Sequence, residues 1–362
     1  MIFIIHDLSC SIDWNENLCP AFCFLLAFYC CNALQREKHH LENSLKMCIN
    51  NRGLTARVRT PNETRLLLTL ASYECTDEKG EKGPIAPSKK SSLITIAFLC
   101  LLLVLNEQFA RYMITKHLSD IHEILSHEIN RFILARHIAV DAVAAGAVSY
   151  LGIIHRHKLS HLITVQNLSD PKAAKSRIHT YEPAGHQVLL YFCAYQAKNF
   201  YDTFYWNDGI IFVLHHLLAG TTAWFGMYPG MASIYGIFFM GISEFSTFWL
   251  VLLANFDNDL GVSGLDEIFP TTKIVLGVIF VVTFVICRVI LWPILAYHFL
   301  NDSKRVLALA ETEKATSTFK YTLYFRTALK IMVWSCVGLS ALQILFLGEI
   351  VATSKAEISA LL

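Results

Sequence analysis

Residues 209–227 read Gly-Ile-Ile-Phe-Val-Leu-His-His-Leu-Leu-Ala-Gly-Thr-Thr-Ala-Trp-Phe-Gly-Met, an apolar run interrupted only by the pair His215-His216. Its length is close to the roughly 20 helical residues that cross a bilayer core. The next run, Met231 to Asn255, carries one carboxylate in Ser243-Glu244-Phe245-Ser246-Thr247. Between the two stands Tyr228-Pro229-Gly230, whose Pro-Gly pair marks a turn. Ionisable groups at membrane depth are costly, and they usually face a bundle interior or a cavity. Two consecutive apolar segments with polar residues at their centres predict a membrane helix bundle with an internal site.

Further runs flank this hairpin at Leu93–Leu105, Phe132–Ile154, Val188–Phe204, Ile274–Leu300 and Thr327–Leu347. The expected fold is all-α, a polytopic membrane bundle of about seven transmembrane helices. No segment alternates with period two, so a membrane β-barrel is excluded. Only 16% of the 362 residues are charged and 54% are apolar, whereas soluble domains carry about 25% charged residues. Net charge is +1, and no basic block is interleaved with aromatics, so nucleic acid is excluded as a partner.

Three regions are expected: a loosely ordered N-terminal region with its linker over 1–90, a transmembrane domain over 91–350, and a short tail over 351–362. Seven of the eleven cysteines fall within the first 75 residues at spacings that fit no zinc or redox motif. The loop after Ile154 carries Arg156, Lys158, Lys172, Lys175 and Arg177, and the segment after Leu300 carries Lys304, Arg305, Lys314, Lys320 and Arg326. Residues 255–272 hold Asp257, Asp259, Asp266 and Glu267 with no basic residue. The positive-inside rule places the two basic segments in the cytoplasm and the acidic loop on the other side.

Counting about 14 residues back from the turn reaches His215 and His216, and the same count forward reaches Glu244, so all three lie at similar depth. The expectation is that one histidine meets Glu244 across the hairpin while the other looks toward a third helix or a cavity. Asp202, in Tyr201-Asp202, ends the preceding span. Arg288 needs a counter-charge, for which Glu244 and Asp202 are the candidates. Ser246 and Thr247 are expected to bond back to their own helix. Positions four residues from either histidine are Ile211, Phe212, Ala219 and Gly220, so no helical His-x-x-x-His face exists and neither a metal nor another cofactor is expected.

Tyr201-Asp202, His215-His216, Glu244-Phe245-Ser246-Thr247, and Phe284 with Arg288, in this order and spacing, resemble the TLC-domain family of ceramide synthases and translocation-associated membrane proteins. The resemblance spans roughly Leu93 to Leu347 and is closest to the branch called TLC domain-containing proteins. Ceramide synthases have an Asn-Arg-Gly stretch after the histidine pair and a later His-Asp. Here His216 is followed by Leu-Leu-Ala-Gly-Thr-Thr-Ala-Trp, and no His-Asp occurs before Thr272.

The resemblance implies an endoplasmic-reticulum protein that binds lipid or acyl chains and influences membrane lipid composition or homeostasis. Its partners would be membrane lipids, sphingolipids among them, and a second copy of the chain. Tyr201, Asp202, Ser246 and Arg288 would form the polar part of the lipid cavity beside the histidines. The alternative is N-acyl transfer from acyl-CoA to a long-chain base, with His215, His216 and Glu244 as the catalytic groups.

Overall fold

The computed structural model describes residues 87–119, 121–159, 170–257, 260–312 and 319–361. The expected N-terminal region therefore lies outside the described residues apart from its last few positions. Every regular element among the described residues is helical. The long helices are α1 (Lys89–His117), α2 (Glu128–Ile154), α3 (Pro171–His179), α4 (Pro183–Trp206), α5 (Ile210–Met227), α6 (Ser233–Ala254), α7 (Pro270–Leu309) and α8 (Phe319–Leu361). Helices α1, α2, α5, α6, α7 and α8 contain segments long and apolar enough to cross a membrane. The protein is thus a polytopic α-helical membrane bundle.

The third expected span needs a correction. It falls within α4, which has the length to cross but is too polar to face lipid along its whole surface. Lys198, Asp202, Gln196 and Asn199 all lie on α4, and fourteen of its residues are buried, these four included. In α1, by contrast, only 6% of the most apolar window is buried. Neighbouring helices follow the order α1, α2, α6, α7, α8, α5, α4 and back to α1, with α4 also reaching α2 and α6. The polar helix thereby gains partners on several sides, while the apolar helices present their outer faces to the bilayer.

The turn lies where the sequence places it, since α5 ends at Met227 and α6 begins at Ser233. The two helices then diverge. Leu189 of α4 occupies the space between them, so that a Cβ on Gly226 would come 2.9 Å from Leu189 Cδ1 and one on Gly236 2.8 Å from Leu189 Cγ. With α4 wedged between them, α5 packs chiefly on α4 and α8, and α6 on α2 and α7. Helices α2 and α6 meet through Gly152 and Gly241, close enough for their backbones to touch.

Three helices contain π-helical segments: Arg136–Ala142 in α2, Phe238–Ile242 in α6 and Val285–Leu291 in α7. The first holds Arg136 and Asp141, the second ends two residues before Glu244, and the third holds Arg288. Such wider turns are frequent at functional sites. Their recurrence beside the charged residues identifies where the bundle departs from regular packing.

At the end carrying the basic loop, α3 is clamped to α7. Arg177 Nε and an Nη donate to the two carboxylate oxygens of Asp302 at 2.6 and 2.8 Å, and the Tyr235 hydroxyl donates to the same carboxylate at 2.7 Å. Removing one partner of a buried ion pair costs about 3–5 kcal/mol because the other charge is stranded. Asp302→Ala is therefore expected to release α3, read as amide hydrogen exchange at least about 100-fold faster over 173–179 than in the wild type.

Candidate functional site

The expected His215–Glu244 contact is replaced by two other pairings. Glu244 accepts from Arg288 Nη2 at 2.8 Å, and Arg288 also donates to Ser246 Oγ at 3.3 Å and Thr247 Oγ1 at 3.2 Å. The guanidinium lies over the Trp292 ring, 5.2 Å from its centroid. Ser246 donates back to the Ser243 carbonyl at 2.9 Å, as its helical context predicts. Of the two counter-charge candidates for Arg288, the structure selects Glu244. The four polar side chains of α6 and α7 form one buried cluster at the level of two of the π segments.

His216 turns toward α4. Its Nδ1 lies 2.7 Å from Gln196 Oε1, and since a carbonyl oxygen accepts, Nδ1 carries the hydrogen and Nε2 keeps its lone pair. His215 packs edge-on against His216 and Phe346, with ring centroids 5.3 and 6.0 Å apart. Its Nδ1 is buried without a hydrogen-bond partner, and it lies within electrostatic reach of Arg288. The histidine pair therefore divides its attention between the α4 side and the α7–α8 side of the bundle.

Asp202 is buried, but it is not a partner of Arg288. Lys198, one turn earlier on α4, donates to Asp202 Oδ1 at 2.6 Å and reaches Glu107 of α1 at 2.8 Å. Glu107 in turn pairs with Arg111. Beside this chain, Arg136 of α2 forms a forked pair with Asp208, at 2.6 and 3.3 Å, and stands 3.7 Å from Asp141. Tyr201 is elsewhere. It is 64% exposed on the outer face of α4, stacked on Tyr205, a position suited to the membrane edge rather than to an internal cavity.

Sequence reasoning passed over Lys198, Glu107 and Gln196. The usable signal is the i, i+4 spacing of Lys198 and Asp202 on a helix otherwise rich in aromatics, which places both on one face. Tyr195 links the two clusters: it is buried within electrostatic reach of Asp141, Glu244 and Arg136.

A family model for the TLC domain matches residues 137–351. The chain belongs to the TLC-domain family. The match covers more than half of the chain, from the second residue of the π segment in α2 into the last helix, and leaves α1 outside. It contains both histidines, Glu244, Asp202 and Arg288. No curated protein and no solved structure matches the chain. Membership makes this an integral membrane protein of TLC type. Within the matched region, the carboxylate, guanidinium and imidazoles sit in one bundle without forming a Ser–His–Asp or metal-ligand geometry.

An apolar crevice lies among α4, α5, α6, α7 and α8. Its walls include Leu189, Tyr235, Phe239, Trp292, Met332 and Leu339, and its cavity volume is about 20 Å³. That is room for about one water molecule. His215, His216, Glu244 and Asp202 do not line it. Trp292 does, and the same indole contacts Arg288. In a TLC-type bundle, the apolar crevice and the polar α6–α7 cluster therefore share one wall.

Proposed function

We propose that the protein binds the hydrocarbon chain of a membrane lipid in the crevice, with the polar end of that lipid directed toward Arg288 and Glu244. The observation that carries this reading is the shared Trp292 wall, which joins an apolar slot to a charged cluster able to donate and accept hydrogen bonds. A lipid chain in the bilayer is already out of water, so the slot would hold it by van der Waals packing rather than by hydrophobic transfer. The narrow bore requires side chains such as Leu189 and Met332 to move as a chain enters. The reading includes an endoplasmic-reticulum setting and a role in lipid composition or homeostasis, sphingolipids included, for which the support is resemblance to the family.

The test is mass spectrometry of lipid retained by the purified chain after detergent exchange, wild type beside Cys336→Trp, which fills the crevice wall. The expected result is retained lipid in wild type and a decrease of about tenfold in the variant, which corresponds to about 1.4 kcal/mol of binding free energy. A folded wild type that retains none, or a variant that retains as much, overturns the reading.

A second reading is acyl transfer from acyl-CoA to a long-chain base. It is supported by the Nδ1 contact of His216 with Gln196, which fixes the ring and leaves Nε2 as the atom that could accept a proton. N-acylation by wild-type protein, lost in His216→Ala and unaffected by the crevice variant, would favour this reading over simple lipid binding.

A further inference from the structure

Around α4 four acids share three cations. Glu107 pairs with Arg111, Asp202 with Lys198 and Asp208 with Arg136, so three carboxylates have three cations. Asp141 is the fourth carboxylate. It is 5% exposed, its Oδ2 is 3.7 Å from Arg136 Nε, beyond hydrogen-bonding distance, and its Oδ1 has no hydrogen-bond partner. Asn199 Oδ1 and Thr203 Oγ1, also unpartnered, belong to residues more than nine-tenths buried. Asn199 is tied to this region through Tyr195, which lies within reach of Asp141. Thr203 is tied to it through its carbonyl, which accepts from Asp208 N at 3.1 Å.

An uncompensated charge in a water-poor interior is costly, and the ordinary escape is to neutralise the group. A proton or a bound cation would each do so. The Arg136 guanidinium, whose Nε faces Asp141 without a hydrogen-bond partner, repels a second cation at this range, whereas a proton neutralises the carboxyl without adding charge. The charged and titratable groups that act on it are Arg136 on its own helix, Lys198 and Asp202 on α4 and Asp208 after it, with Tyr195 of α4 also in reach. His137 is engaged with Asn255 at 3.2 Å. His137 adjoins Arg136 in sequence and His216 lies within its electrostatic reach, so neither imidazole is well placed to supply the missing positive charge.

We infer that Asp141 is a proton-binding site, a neutral carboxylic acid held inside the bundle beside Arg136 and Tyr195. The proton comes from water and returns to it, and no other bond changes. This inference stands apart from lipid binding, since it needs neither the crevice nor the α6–α7 cluster.

The test is infrared spectroscopy of the full chain in detergent at neutral pH, where exposed carboxyls are ionised, comparing wild type with Asp141→Asn. The expected result is a protonated-carboxyl C=O band in wild type that disappears in the variant. Because asparagine resembles the neutral acid, the variant should also keep its thermal midpoint within about 2 °C. Identical spectra overturn the inference. So does a variant that fails to fold or melts much earlier, the result expected if Asp141 were ionised and its loss stranded Arg136. Stabilisation of wild type by Na⁺ over choline, without the band, would assign the site to a cation instead.

Discussion

Lys198→Met is expected to destabilise the bundle by about 3–5 kcal/mol, a larger effect than replacing either histidine. Lys198 is buried and stands between Glu107 of α1 and Asp202 of its own helix. Methionine fills most of the same volume, so the loss is electrostatic rather than steric. Asp202 is left without a cation, and Glu107 keeps only Arg111. The check is thermal unfolding in a fixed detergent, read beside the double variant Lys198→Met, Asp202→Asn. Removing both charges, with Glu107 still paired to Arg111, should recover most of the lost stability, because neutral side chains carry no comparable desolvation penalty. A double variant no better than the single one would show that Lys198 acts through packing.

The second large effect is expected from Gly152→Val. A Cβ at this position would lie 2.5 Å from the Ile242 amide nitrogen and 2.7 Å from the Gly241 carbonyl carbon. Both are backbone atoms, so no rotamer change can relieve the clash, and α2 must separate from α6. Overpacking typically costs about 1–3 kcal/mol where side chains can adjust, and the rigid contact here should exceed that range. These helices carry Asp141 and Arg136 on one side and Glu244 on the other, so the separation should also open the polar interior. Size-exclusion profiles of fluorescently tagged protein are expected to lose the monodisperse peak. Gly277→Ala is the control, since a Cβ there meets nothing within 4 Å.

The fold was readable from the sequence because bilayer thickness converts the length of an apolar run directly into an element. The turn at Tyr228-Pro229-Gly230 and the burial of Asp202, Glu244 and Arg288 followed from the same logic. Neighbour relations did not. Counting residues gives depth along a helix axis, which places His215 level with Glu244, but says nothing about which helix lies between them. Leu189 of α4 separates the two helices near their turn, a fact of tertiary packing that no local pattern encodes. The π segments add a second source of error: one extra residue in a turn rotates everything beyond it by about 100°. The face that Glu244 presents therefore differs from the one a regular helix would give. Lys198 escaped notice because Val188–Phe204 reads as an apolar span when aromatics are counted and its few charges are not.

The contrast between α1 and α4 bears on how the chain enters the membrane during synthesis. α1 emerges before α4 with Glu107 and Arg111 already paired one turn apart, so it can settle in lipid alone. α4 begins about ninety residues after α1 begins. Its Lys198 and Asp202 would each oppose insertion by about 2.5–3.5 kcal/mol at a helix centre if unpaired. Their mutual bridge relieves part of that, and Glu107, already waiting in α1, relieves more. The earlier helix thus acts as a receptor for the more polar one. Deleting it would leave α4 stalled at the translocation machinery, even though the family-defining region would remain whole.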